Sequence, residues 1–89
     1  MRHAHLIIDG FVQGVGFRRF VQRQAEALDL KGYVRNIEGG VEVVVEGESD
    51  AIDRLVEACR QGPPAANVED VTVEEGTPSG LYKEFSVTA

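Results

Sequence analysis

From Ala4 to Val12 the chain is β-branched and apolar with few polar interruptions, which predicts a first strand that is central in a sheet or buried on both sides. Phe17, Phe20, Val21, Ala25 and Leu28 then recur at helical spacing along one side, predicting a helix over 17–30. Lys31 followed by Gly32 reads as a helix stop, with a second strand beginning near Tyr33. Beyond the turn at Gly39-Gly40, Val41, Val43 and Val45 alternate with Glu42, Val44 and Glu46, the period of a half-buried strand. Ser49 or Asp50 can cap a second helix whose apolar stripe is Ile52, Leu55, Val56 and Cys59, and Gly62-Pro63-Pro64 ends it. Residues 68–75 alternate again with Val71 and Val73 inward. A turn at residues 77–80 leads to a short last strand with Phe85 and Val87.

The order strand, helix, strand, strand, helix, strand predicts an α+β, ferredoxin-like split βαβ sandwich, with two helices on one face of an antiparallel sheet and a short extra C-terminal strand. Right-handed crossovers make the first and second strands run the same way with the third inserted between them. Two strand spacings then put their carboxyl ends roughly 10 Å apart, beside the start of the first helix. One small ligand can touch a group on each.

Composition and charge narrow the function classes. At 89 residues the chain holds one core, so residues 1–89 are read as a single domain. No run approaches the roughly 20 apolar residues of a membrane span, and no leader pattern is visible, so a cytoplasmic protein is expected. The single cysteine, Cys59, excludes an internal disulfide and a multi-cysteine metal cluster, and its place in the helical stripe makes it core filler. A net charge of −6 argues against a general nucleic-acid binder. The total conceals a gradient, because Arg2, Arg18, Arg19, Arg23, Lys31 and Arg35 all lie within the first 37 residues.

The chemistry is concentrated between the first strand and first helix, in Gly10-Phe11-Val12-Gln13-Gly14-Val15-Gly16-Phe17-Arg18-Arg19. A glycine-rich turn opening into a helix is either an ordinary tight turn or a cradle whose successive N–H groups, aided by the helix dipole, hold an anion. The spacing fits neither the G-x-x-x-x-G-K-[ST] phosphate loop nor G-x-G-x-x-G. Arg18 and Arg19 stand in the first helical turn, where the dipole disfavours cations by about 0.3–1 kcal/mol each. Either they extend into water, Arg19 the more readily, or a bound anion offsets that cost through the planar guanidinium fork. Arg23 lies about 8 Å farther along the axis than Arg18, too far to share the ligand. Asn36, taken alone, reads as a turn-forming residue at a strand end, and only its distance from Arg18 points to a role at the site.

The run Val12, Gln13, Gly14, Val15, Gly16, Phe17, Arg18 resembles the phosphate-binding signature of the acylphosphatase family. Gly32-Tyr33-Val34-Arg35-Asn36 is similar to its second signature, and the interval of 18 residues from Arg18 to Asn36 agrees, as do length and element order. One departure is the turn after Asn36, where two residues, Ile37 and Glu38, precede Gly39-Gly40, one fewer than family members often have. The resemblance implies hydrolysis of the carboxyl-phosphate bond of an acyl phosphate, without cofactor or metal. Arg18 and Asn36 would be catalytic, and Gln13, Gly14, Val15, Gly16 and Phe17 would bind substrate through their backbone. A carboxylate leaving group needs no general acid, and phosphoryl transfer chiefly needs positioning and charge stabilisation. Asn36 is not basic enough to take a proton but can fix a water in line.

Other groups are assigned plain roles. His3 and His5 share one face of the first strand without a third metal ligand and are read as surface histidines. Glu42, Glu46, Glu48, Asp50 and Asp53 are read as a solvated acidic face, and Tyr33 as covering the core. The expected partner is a small acyl phosphate, with no nucleic acid, no membrane and a monomeric state. A non-catalytic module binding carbamoyl phosphate or another small anion is the alternative on the same scaffold. Single-strand RNA binding fits poorly, because the third strand offers Val43, Val44 and Val45 where stacking aromatics are needed.

Overall fold

The computed structural model describes residues 1–89, in the order β1 (Arg2–Phe11), α1 (Phe17–Ala27), β2 (Lys31–Ile37), β3 (Gly40–Gly47), α2 (Ser49–Gln61), β4 (Asn67–Gly76) and β5 (Phe85–Val87). The five strands form one sheet in the order β4-β1-β3-β2-β5. β3 is antiparallel to both β1 and β2, so those two run in the same direction with β3 between them. The ferredoxin-like sandwich is therefore observed, with one addition. β5 joins β2 in parallel, pairing Gly32 with Phe85 and Val34 with Val87, so the sheet is mixed.

Strand alternation builds the core. Ala4, Leu6 and Ile8 of β1, Val34 of β2 and Val41, Val43 and Val45 of β3 are fully buried with Phe17, Val21 and Ala25 of α1 and Ile52, Leu55 and Cys59 of α2. Each large side chain removed from water contributes about 1.5–3 kcal/mol. A one-residue slip of β3 would expose its three inward valines together, which fixes the register that places Asn36 opposite Val41. β1 is central but buried on the helix side alone, since His3, His5 and Ile7 on its other face are half-buried.

Both helix boundaries differ from the sequence expectation. α1 stops at Ala27 rather than Leu30, and the left-handed turn that ends it is made by Asp29, with φ 56. The N–H of Leu30 donates to the Ala25 carbonyl at 2.8 Å, which turns the chain so that the Leu30 side chain enters the core. Asp tolerates that conformation better than most residues. Gly32 belongs to β2 instead, where a Cβ would stand 1.9 Å from the Val44 carbonyl oxygen. At α2 the capping position is Glu48, with no side-chain cap bond, and Ser49 and Asp50 lie inside the first turn.

The face of the sheet away from the helices carries a second correction. β4 and β5 are opposite edges, so residues 77–84 must cross the sheet to join them. The crossing is fastened by Glu46, which is 2% exposed and not a solvated acid. Its Oε2 accepts from His3 Nδ1 at 2.7 Å and the Ser79 N–H at 2.8 Å, and its Oε1 from the Gly80 N–H at 3.0 Å and the Ser79 hydroxyl at 3.2 Å. Glu42 likewise binds His5 Nε2 at 2.9 Å and the Arg35 guanidinium. Its carboxyl is held below the usual range, first by the His5 bond and then by Arg35. Both histidines are thus half-buried partners of carboxylates. Tyr33 packs on Tyr82 with ring centroids 6.1 Å apart, covering this face and not the core between sheet and helices.

Candidate active site

Residues 12–16 link β1 to α1, and two glycines give the link its shape. Gly14 and Gly16 have φ of 75 and 77, a region that costs other residues roughly 1–2 kcal/mol. Gly16 occupies the capping position of α1 with no side-chain cap bond. The first intrahelical bond is the Phe20 N–H to the Gly16 carbonyl at 3.0 Å, so the backbone N–H groups of Gly14 to Arg19 donate to no atom of the chain. These unpartnered donors, with the dipole behind them, make an electropositive end.

An open cleft of about 460 Å³ lies at that end, and Gly14, Gly16, Phe17, Arg18 and Asn36 all line it. Arg18 reaches the cleft from the first turn of α1, and its Nη1 donates to the Thr88 carbonyl at 3.1 Å, which orders the guanidinium while leaving its other donors free. Asn36 arrives from β2 on the same face as the buried Val34, because it is two residues farther along the strand. Arg18 and Asn36, from separate elements, therefore share one concavity. The residues lining the cleft thus carry unpartnered backbone N–H groups, a planar fork and a carboxamide.

Two expected residues stand elsewhere. Val15 packs against the core, with none of it on the cleft. The Gln13 side chain turns to the β2–β3 turn, its Nε2 donating to the carbonyls of Ile37 at 2.5 Å and Gly40 at 2.8 Å. Arg23 does not reach the cleft, as the helix rise requires, whereas Arg19 does. Two lining residues went unread in the sequence. Gln22 is one turn beyond Arg18, and that spacing was a usable signal. Val87 reaches the cleft because β5 pairs with β2, and no local pattern announces that pairing.

The acylphosphatase family model matches residues 4–87. The chain is 44% identical over 88 residues to an acylphosphatase of Thermotoga petrophila, covering 98% of this chain and 97% of that one. An acylphosphatase of Caldivirga maquilingensis is 52% identical over 84 residues, with 92% and 88% covered. The crystal structure of the acylphosphatase from Bacillus subtilis superposes with a TM-score of 0.96 at 40% identity, over the full length of both chains. With two signatures folded onto one cleft and relatives matching nearly end to end, the chain belongs to the acylphosphatase family and is a hydrolase of acyl phosphates.

Proposed function

We propose that the loop amides and Arg18 hold the phosphoryl group of the acyl phosphate while Asn36 fixes the attacking water, and that the protein's own donors supply the charge stabilisation. The observation that supports this is that Arg18, Asn36 and the loop residues Gly14, Gly16 and Phe17, whose N–H groups have no partner in the chain, all line one cleft. Charge on three equatorial oxygens is met by the backbone donors and the guanidinium fork. The Asn36 amide accepts from and donates to one water and places its oxygen opposite the bond that breaks. The new P–O bond forms to that water as the bond to the acyl oxygen breaks. The electron pair leaves with the carboxylate, which needs no proton because its pKa lies near that of ordinary carboxylic acids, about 4. The water's proton passes to a non-bridging phosphate oxygen.

The test is turnover of a model acyl phosphate such as acetyl phosphate, measured with a chelator present. Arg18→Ala and Asn36→Ala are each expected to lower kcat at least about 100-fold, the cost of one lost donor to a developing charge. Arg18→Lys should fail as well, since a point charge cannot bridge two oxygens. Near-normal turnover in a folded variant removes that residue's role, and loss of wild-type turnover on chelation removes the reliance on protein donors alone. The natural setting we infer is a single-domain monomer in the reducing cytoplasm, consistent with the single buried Cys59. The elution volume of the purified protein checks the oligomeric state.

A further inference from the structure

We propose that Gln13 is a positioning residue, whose side-chain amide references the β2–β3 turn to the glycine loop and thereby sets where Asn36 stands against the bound phosphoryl group. The inference rests on the water-fixing role given to Asn36 above. Gln13 opens the loop, yet its side chain is spent away from the cleft. Its single Nε2 donates to both Ile37 and Gly40 carbonyls. Those residues form the last pair of the β2–β3 ladder, so the two carbonyls stand on either side of the two-residue turn Glu38-Gly39. No other hydrogen bond joins residues 12–16 to residues 36–40.

The two ends of this clamp differ in stiffness. Gly40 is pressed on β1, where a Cβ would lie 2.3 Å from the Ile8 carbonyl oxygen, so its backbone has nowhere to go. Ile37 is the residue after Asn36 and lies beyond the β2–β5 pairing, which ends at Val34, so it has β3 alone beside it. Gln13 therefore ties the movable carbonyl to the fixed one and to the loop at the same time. The loop and the carboxamide come from different elements, so their separation depends on this tie as well as on the β1–β3–β2 pairing. In-line attack is sensitive to that separation, since a displacement of about 1 Å can cost up to about 100-fold. This gives the glutamine of the first signature a role distinct from that of the loop backbone it belongs to.

The test is a double-mutant cycle on acetyl phosphate hydrolysis with Gln13→Ala, Asn36→Ala and the pair, with Gln13→Met as a variant of similar length that lacks donors. Gln13→Ala and Gln13→Met are expected to lower kcat about tenfold or more by misplacing the carboxamide. KM and the inhibition constant for inorganic phosphate should stay within about twofold, since the phosphate contacts are untouched. With Asn36 already Ala, removing Gln13 should cost less than about threefold more, because the two act on one step. The proposal is overturned by unchanged kcat in a folded Gln13 variant, by phosphate inhibition weakening in step with kcat, or by losses that multiply independently. Normal turnover in Asn36→Ala would sink the Asn36 role itself and this inference with it. A crippled Asn36→Ala beside an unaffected Gln13→Ala would sink this inference only.

Discussion

Replacing Glu46 by Gln tests the account of the crossing segment. The change keeps size and shape but removes the charge. Each carboxylate oxygen now accepts a backbone N–H, Oε2 from Ser79 and Oε1 from Gly80. Whichever way the new amide is turned, its NH2 faces one of those N–H groups. One accepting position is lost at a site that is 2% exposed, and the remaining one is no longer charged. An unsatisfied buried donor costs about 1–3 kcal/mol, and a bond to a charged group exceeds a neutral one by about 1 kcal/mol, giving a loss of about 2–4 kcal/mol at pH 7. The same bonds also set the acid response. Burial pushes the Glu46 carboxyl up, but the Ser79 N–H, His3, the Gly80 N–H and the Ser79 hydroxyl together bring it down to about 2, from an ordinary value of 4.5. At 1.36 kcal/mol per pH unit this shift corresponds to about 3 kcal/mol. Because the folded value lies below the unfolded one, that stability is fully present above pH 4.5 and is lost as pH falls toward 2. Denaturant unfolding of both proteins at several pH values is the assay. The gap should be about 2–4 kcal/mol at pH 7 and should narrow steadily between pH 4.5 and 2. A gap under about 0.5 kcal/mol at pH 7, or one that does not change on acidification, would refute the latch.

Two further outcomes follow from packing. Gly32→Ala puts a methyl group 1.9 Å from the Val44 carbonyl at a φ of 141, so it should fail to fold or lose more than about 3 kcal/mol, and a thermal midpoint within about 4 °C of wild type would contradict the close strand approach. Burial raises the Cys59 thiol to about 12, so an aromatic disulfide reagent at pH 8 should modify it only after denaturant is added, and labelling of the native protein within mixing time would show that the α2 stripe opens.

The fold was legible wherever local pattern and burial agree. The stripes Phe17-Val21-Ala25 and Ile52-Leu55-Cys59 and the alternating valines of β3 are one-dimensional records of faces that had to leave water. The glycine-rich link was legible too, since arginines at a helix start oppose the dipole and need a reason. The helix stop at Gly32 was misplaced because two rules competed for the same segment. Asp29 accepts the left-handed turn, and the close approach of β3 claims the glycine for the strand.

The acids of residues 42–48 look alike in the sequence, and only the path of residues 77–84 makes Glu46 a buried anchor while Glu48 stays in water. Gln13 reads as one more loop residue until the turn that follows Asn36 is brought beneath its amide. Sequence alone determined which elements form and in what order, and it marked the glycine-rich link between β1 and α1, because propensity and periodicity act over neighbouring residues. Tertiary structure decided that Arg18 and Asn36 share a cleft, that Val87 closes its edge and that Gln13 serves the hairpin, because these depend on strand pairing between residues far apart in the chain.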